Sequence, residues 1–425
     1  MGHQVLSMLN RLQNRRFFYF ELPLIVFATL LAFGLQVLLT SGCCVGPDLV
    51  AYERIANLQG AQSNFWLSAD AFNENFWGML YPTFLHYSME ISGGSLEFVQ
   101  WIQRLMVAAL VPAVWLLTAH LGPKVRITSA FVLALSPTSI WLGNSFGYEV
   151  LLAFLLTYGV VLAWIIKERQ FESRPFLLVL FPLFSGILIG LAMLAQSKAL
   201  IIVPVVLYLL WRQSRRSALW GIAGIFIPLI PWMVRNFYVL GTFSPLSNNA
   251  GYNLWVGNSP EAILGGSVAS APPLPAGATS QLGAALTFMI EQPEATIDLI
   301  FRKVMRLWQP IYAYPEIVEP GPGRFLLHIF AGVLAALILF GFLAFLGGRL
   351  FVSPPRVPDV TPLAIFVLLF CLSHLPFIAE PRFMSAVLPV TLSVAVPTVL
   401  YLGQHWERLL KPSVGRSNLS EKSLE

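Results

Sequence analysis

Charge is scarce in this sequence. Only 11% of its 425 residues are Asp, Glu, Lys or Arg, where a soluble domain carries about 25%. That shortage excludes an ordinary water-soluble fold. Cysteine is scarcer still: Cys43, Cys44 and Cys371 make an odd count with two neighbours in it, which supports neither a disulfide framework nor a zinc spacing. The histidines His86, His120, His328 and His374 are scattered, with no i, i+4 pair of the kind that grips zinc. No glycine-rich phosphate loop precedes a helix, so a nucleotide-sugar donor held in a soluble dinucleotide-type domain is excluded. No low-complexity linker or clear internal repeat is present. The net charge of +5 points to no nucleic acid, because the cations fall mostly between apolar runs and act as a topology signal.

What the chain has in abundance is apolar bulk: 56% hydrophobic residues, with 32 Phe and 12 Trp, and a mean hydropathy of +0.71. These predict an all-α integral membrane protein. Runs long enough for a hydrocarbon core of roughly 30 Å give about ten spans, near 17–40, 104–121, 127–143, 148–166, 176–195, 198–211, 217–233, 325–346, 360–378 and 383–402. Most Lys and Arg lie in the segments that share a side with the amino terminus, and most acids lie in the others. Both termini are therefore expected in the cytoplasm, with two large extracytoplasmic loops at 41–103 and 234–324 and a cytoplasmic tail at 403–425. The whole, 1–425, reads as a single membrane domain. The first apolar run exceeds the core of a signal peptide and is read as a retained anchor. The string LLTSGCC resembles a lipoprotein cleavage box at Cys43, but Thr40 stands where an aliphatic residue is usual. Neither outer loop contains Asn-x-Ser/Thr, which agrees with a bacterial inner membrane.

The outer loops hold the candidate chemistry. In GPDLVAYERIANL, Tyr52, Ile55, Ala56 and Gln59 recur at helical spacing, so a helix is expected just after Asp48, with Tyr52 one turn along on its face. Two roles are open to Asp48: a cap accepting backbone N–H bonds, or a carboxylate that takes a proton from a hydroxyl nucleophile. Glu149 either orients a substrate or caps its helix. Lys198 and Arg382 sit in short outer turns beside apolar spans, where they either grip a phosphate or snorkel to headgroups. Arg235 follows Pro231 and Trp232 at the end of a span, as a phosphate ligand or an aromatic-belt anchor. Ile297, Ile300, Phe301, Val304, Leu307 and Trp308 form an apolar stripe with Arg302, Lys303 and Arg306 opposite, which predicts an interfacial helix whose cations meet water and lipid phosphates. Asp48, Glu53, Asp70 and Glu74 either hold a hard divalent cation or are solvated loop acids.

The run PWMVRNFYVLGTFSPLSNNAGYNLWVGN, from Pro231 to Asn258, resembles the start of the large outer loop in GT-C glycosyltransferases, the group with protein O-mannosyltransferases and lipid A aminoarabinose transferases. Other pieces follow in the same order: Asp48 with Tyr52 and Ala56, Tyr81-Pro82, Leu135-Ser136-Pro137 then Glu149, Lys303 with Trp308, and Glu380 with Arg382. There are departures. Leu49 stands where the family often has a second acid, which puts a metal role in doubt, and Tyr81 replaces a usual lysine. The resemblance implies an inverting transferase that moves a monosaccharide, a hexose or pentose, from a polyprenyl-phosphate carrier to a hydroxyl acceptor on a lipid, glycan or protein. It implies Asp48 as general base, Arg382, Arg235 and Lys198 as ligands of the donor phosphate, and Tyr52, Glu149, Asn236, Asn253 and Lys303 as substrate-binding residues. A divalent cation is compatible with it; no other cofactor is implied. The rival reading is a transporter or flippase of lipid-linked sugars, for which ionisable groups near the midplane, rather than at the edges, are expected.

Overall fold

A computed structural model describes residues 17–39, 48–61, 76–168, 176–265, 272–310, 322–350 and 359–410. Every regular element among them is a helix. A π-turn at Phe17–Glu21 leads into α1 (Leu22–Leu38); α2 (Leu49–Ala61) and α3 (Leu80–Ser92) follow, then α4 (Leu96–Leu117), α5 (Pro123–Leu135), α6 (Pro137–Leu142) and α7 (Tyr148–Glu168). The second half runs through α8 (Leu177–Ala195), α9 (Val203–Gln213), α10 (Arg215–Leu240), α11 (Ala250–Gly257), α12 (Pro260–Gly265), α13 (Gln281–Glu291) and α14 (Pro293–Leu307). It closes with α15 (Pro322–Leu350), α16 (Thr361–Leu372), α17 (Pro381–Ser385) and α18 (Leu388–Leu410). The helix boundaries follow familiar local chemistry. Ser95, Ser214 and Ser280 each accept the N–H three residues on. Gly93 and Gly241 close α3 and α10 in the left-handed region, at φ 68° and 67°.

Among the described residues, six helices are long and apolar enough to cross a membrane: Tyr19–Leu38, Leu96–Leu117, Tyr148–Ile165, Leu177–Ala195, Arg215–Leu240 and Leu326–Leu350, with shorter apolar helices at Thr361–Leu372 and Leu388–Gln404. The protein is thus an integral membrane protein, but six helices meet the criterion where ten spans were expected. Two of the differences have a clear cause. Ser136 precedes Pro137 and takes extended backbone, ψ 122°, so the span placed at 127–143 splits into α5 and α6. The span placed at 198–211 splits into a 3-10 turn, Ser197–Ile202, and the 11-residue α9, too short for a core of roughly 30 Å at about 1.5 Å per residue. The span placed at 104–121 starts earlier, at Leu96. Tail residues 411–425, with Cys43, Cys44, Asp70 and Glu74, lie outside the described residues.

The α7 span is the centre of the bundle: 78% of it is buried inside the protein, against 28% for Tyr19–Leu38 and for Leu326–Leu350. The outlying helices keep apolar faces for lipid, with Phe27, Leu30, Phe330 and Phe340 exposed. Close packing of α8 on α10 depends on glycine. A Cβ on Gly186 would stand 2.1 Å from the Gly221 carbonyl oxygen, and one on Gly224 would stand 2.2 Å from that of Leu183. Two backbones that close need no side chain between them, the small-residue mode by which helices associate in lipid.

Candidate active site

Five distant stretches meet beyond the end of α1: the start of α2, the start of α7, the turn Ser197–Ile202, α14, and the segment 373–380 with α17. Asp48 immediately precedes α2, and its carbonyl accepts from Tyr52 N at 3.1 Å. Its carboxylate, however, turns away to Arg382: Nη1 donates to Asp48 Oδ2 at 2.7 Å. The same Nη1 lies 3.2 Å from Glu149 Oε1, and Nε donates to Glu380 Oε2 at 2.6 Å. Pro381 fixes the first helical position of α17 and Glu380 is extended before it, so Glu380 and Arg382 are presented from one rigid corner. Arg382 is 8% exposed and Glu149 2%. Burial works against the guanidinium charge, but Glu149, Glu380 and Asp48 outweigh it and hold the Arg382 pKa well above its usual value.

Behind this group lies an aromatic floor. Tyr52 is buried, edge-on to Tyr81 at 4.9 Å and to Trp77 at 5.4 Å. Burial first, then the Asp48 and Glu149 charges, raise the Tyr52 phenol well above its usual range, so it stays a neutral hydroxyl. Tyr81 donates to Gln103 Oε1 at 2.9 Å, and Gln103 in turn donates to the Ser145 carbonyl. Tyr81 thus forms a wall beside this group.

Lys198 lies in the 3-10 turn that the split span leaves behind. Its Nζ is 5.2 Å from the centroid of Phe377 and 5.2 Å from that of Phe383, and the Arg382 guanidinium carbon is 5.3 Å from the same Phe383 ring. Among the described residues no hydrogen-bond acceptor or carboxylate pairs with this ammonium. Burial foremost, then the Lys303 charge, bring the Lys198 pKa down to about 7, with Glu380 pulling the other way. His374 stacks on Phe383 at 5.0 Å and shares a 2.8 Å hydrogen bond with the Phe370 carbonyl. Burial and then Lys198 push its pKa well down, so it is neutral. Nothing in the sequence singles out His374, Phe377 or Phe383 beyond their proximity to Arg382 along the chain.

The other expected ligands are placed differently. Lys303 is completely buried, and its Nζ donates to Asn258 Oδ1 at 3.1 Å and to the Leu375 carbonyl at 3.0 Å. Helix α14 turns Thr296, Leu299, Lys303 and Leu307 inward, while Ile297, Ile300 and Phe301 face out. Of the expected apolar stripe, Ile297, Ile300 and Phe301 are exposed and Leu307 is buried, while Lys303 lies against protein rather than water or lipid phosphate, because Asn258 and a carbonyl satisfy its charge. Asn258 also donates to the Pro376 carbonyl at 2.6 Å, and a Cβ on Gly257 would stand 2.5 Å from the Phe377 oxygen. Lys303 and the end of α11 therefore clamp the segment that carries Phe377 and Glu380. Arg235 sits over the Trp232 ring at 4.8 Å and donates to Asn236 Oδ1 at 3.0 Å; Asn236 donates to the Ser244 carbonyl at 2.8 Å. This pair closes the end of α10. Asn253 lies half-buried on α11, its N–H bonded to Asn249. Glu53, one helical turn past Asp48, is half-buried, and no group of three or more His, Cys, Asp or Glu among the described residues is placed to hold a metal ion.

No protein-family model matches the sequence, and no curated protein matches it. Solved structures do match by shape. The Archaeoglobus fulgidus oligosaccharyltransferase, in a complex with zinc and sulfate, superposes with a TM-score of 0.51 at 17% identity, over 90% of this chain and 50% of that one. The same organism's oligosaccharyltransferase AglB, in complex with an inhibitory peptide and a dolichol-phosphate, gives a TM-score of 0.47 at 15% identity, over 95% and 53%. The chain spans about half the length of the proteins it matches. At this identity the likeness is one of fold alone, shared with the archaeal oligosaccharyltransferase.

Proposed function

We propose that the protein is an inverting glycosyltransferase that takes a monosaccharide from a polyprenyl-phosphate carrier and passes it to a hydroxyl acceptor at the extracytoplasmic face of a bacterial inner membrane, with both termini in the cytoplasm. One observation carries the reading: a carboxylate, Asp48, is ion-paired to Arg382, which shares the Phe383 ring with Lys198, a half-buried ammonium that meets aromatic rings and no hydrogen-bond acceptor among the described residues. An ammonium so placed is a site for an anion. The sequence resemblance and the shared fold supply the reaction class.

The chemistry divides among the side chains. The acceptor hydroxyl oxygen attacks the anomeric carbon from the face opposite the phosphate, and Asp48 takes its proton. The bond from that carbon to the phosphate oxygen breaks, and its electron pair leaves with the lipid phosphate. Lys198, aided by Arg382, offsets the charge that gathers there. No covalent sugar intermediate forms, so the anomeric centre inverts. A sugar with its phosphate spans on the order of 10 Å, a distance compatible with two cations that share the Phe383 ring. The neutral Tyr52 hydroxyl and the aromatic floor are suited to a sugar face. Arg235, Asn236, Asn253 and Lys303 act, in this reading, through the shape of the second outer region rather than by touching the donor.

Purified protein incubated with a panel of polyprenyl-phosphate sugars and cell-envelope extract should release lipid phosphate and form a glycosylated product. Silence across all donors, together with movement of the intact lipid-linked sugar across vesicles, would favour the flippase instead.

A further inference from the structure

The fold neighbour was solved with zinc, so the Asp48, Glu149 and Glu380 carboxylates invite comparison with a metal site. Their donor set does not fit one. A divalent cation needs several carboxylate oxygens at about 2.0–2.6 Å from one point, and here that point is filled by a side chain. Nη1 of Arg382 stands 2.7 Å from Asp48 Oδ2 and 3.2 Å from Glu149 Oε1, while Nε holds Glu380 at 2.6 Å. Those are the contacts of one buried cation with three carboxyl groups. The guanidinium is not free to leave, since Pro381 and α17 fix its backbone and the Phe383 ring packs against it.

We infer that Arg382 is a built-in replacement for a divalent cation, so that this protein binds no metal between Asp48 and Glu149 and works without one. The physical case rests on exclusion by charge and volume. A metal entering between Asp48 and Glu149 would have to share their oxygens with a positive group a hydrogen-bond length away. Like charges at that distance in a buried site repel strongly. The arrangement also explains why Leu49 can stand where relatives often carry a second acid: with a guanidinium as the cation, a second carboxylate there has no metal to serve. Three acids on one guanidinium leave excess negative charge, which the nearby Lys198 partly balances. The inference concerns the site of the proposed transfer, and rests on that reading only where activity is measured.

The test is Mn²⁺ binding by electron paramagnetic resonance on the full chain in detergent, which needs no substrate. Wild-type protein should bind no Mn²⁺ that Asp48→Asn removes. Arg382→Ala, which leaves three carboxylates around a vacated space, should gain Mn²⁺ binding, and the double variant Arg382→Ala with Asp48→Asn should lose it. A rise in the melting temperature of Arg382→Ala on adding Mn²⁺, with none for wild type, is the companion signature. Asp48-dependent Mn²⁺ binding by the wild type would overturn the inference, as would a folded Arg382→Ala protein that binds none. Should Arg382→Ala not fold, the wild-type measurement still decides, and Arg382→Lys, which keeps a cation, should resemble wild type. If a donor is found, turnover should survive exhaustive chelation; failure to find a donor leaves the Mn²⁺ result standing on its own.

Discussion

Two buried ionic groups lie at opposite ends of α1, and they are built on different principles. At its start, Glu21 accepts from Arg126 at 2.5 Å, and the guanidinium lies over the Trp115 ring at 5.0 Å. One acid meets one base, and an apolar ring covers the base. Beyond its end, three acids crowd one guanidinium, and a nearby lysine meets only aromatic rings among the described residues within contact distance. The first arrangement pairs one carboxylate oxygen with the guanidinium and leaves Glu21 Oε2 buried without a hydrogen-bond partner among the described residues. The second carries surplus charge of both signs, which folding alone does not call for, and which a charged substrate and a proton in transit can use. A similar contrast separates the two outer lysines. Lys303 is buried and saturated by Asn258 and the Leu375 carbonyl; Lys198 has no such acceptors among the described residues.

The sharpest break in the first comparison is Arg126→Ala. It strands Glu21 in a buried position, and removing one member of such a pair costs about 3–5 kcal/mol. Its effect should appear in the melting temperature and yield, with specific activity of the surviving protein little changed. Next in size is Lys303→Met, which leaves the Asn258 and Leu375 oxygens short of a donor and should cost about 1–3 kcal/mol, loosening the clamp on segment 373–380. Lys198→Met should do the reverse: melting unchanged or higher, because a half-buried charge without an acceptor among the described residues is removed, and donor affinity lower. Equal losses of stability from both lysines would erase the distinction drawn between them.

The smallest effect is one of pH. Lys198 has its pKa brought down to about 7, and the charged form is the one that attracts phosphate. Donor kcat/KM should therefore be highest below pH 7 and fall as pH rises through about 7, by up to roughly tenfold per unit. Lys198→Arg, charged throughout, should flatten that limb, and a wild-type profile already flat across this range would count against the role of Lys198.

How much of this could be read from the sequence varies with the chemistry. Charges are so rare in the chain that each one at the edge of an apolar run stands out, and so Asp48, Glu149, Lys198, Glu380 and Arg382 were all legible as candidates. The helix after Asp48 followed from spacing, and α2 buries Tyr52, Ile55 and Ala56 as that spacing requires. The partnership of Arg382 with three acids was not legible, because contacts between residues 48 and 382 depend on how the whole bundle closes. Lys303 misled for a related reason: periodicity assigns it a face, but not the neighbour Asn258 that lets a lysine be buried there. The expected spans differ from single helices where hydropathy ignores backbone chemistry, as at Pro137, or where an apolar run is divided by a 3-10 turn, as at Ser197–Ile202. The glycines of α8, four residues apart at Gly186 and Gly190, carried a packing signal that a count of apolar residues passes over.

The central claim is that Asp48 moves a proton while the cations beside it hold a phosphate, and release of lipid phosphate from a radiolabelled polyprenyl-phosphate sugar tests it most directly. Wild-type protein in detergent should release the phosphate and invert the sugar. Asp48→Asn should fold, bind the same donor, and turn over roughly 10²–10⁴-fold more slowly, the usual contribution of a positioned base. An Asp48→Asn protein that releases lipid phosphate at the wild-type rate would contradict the account.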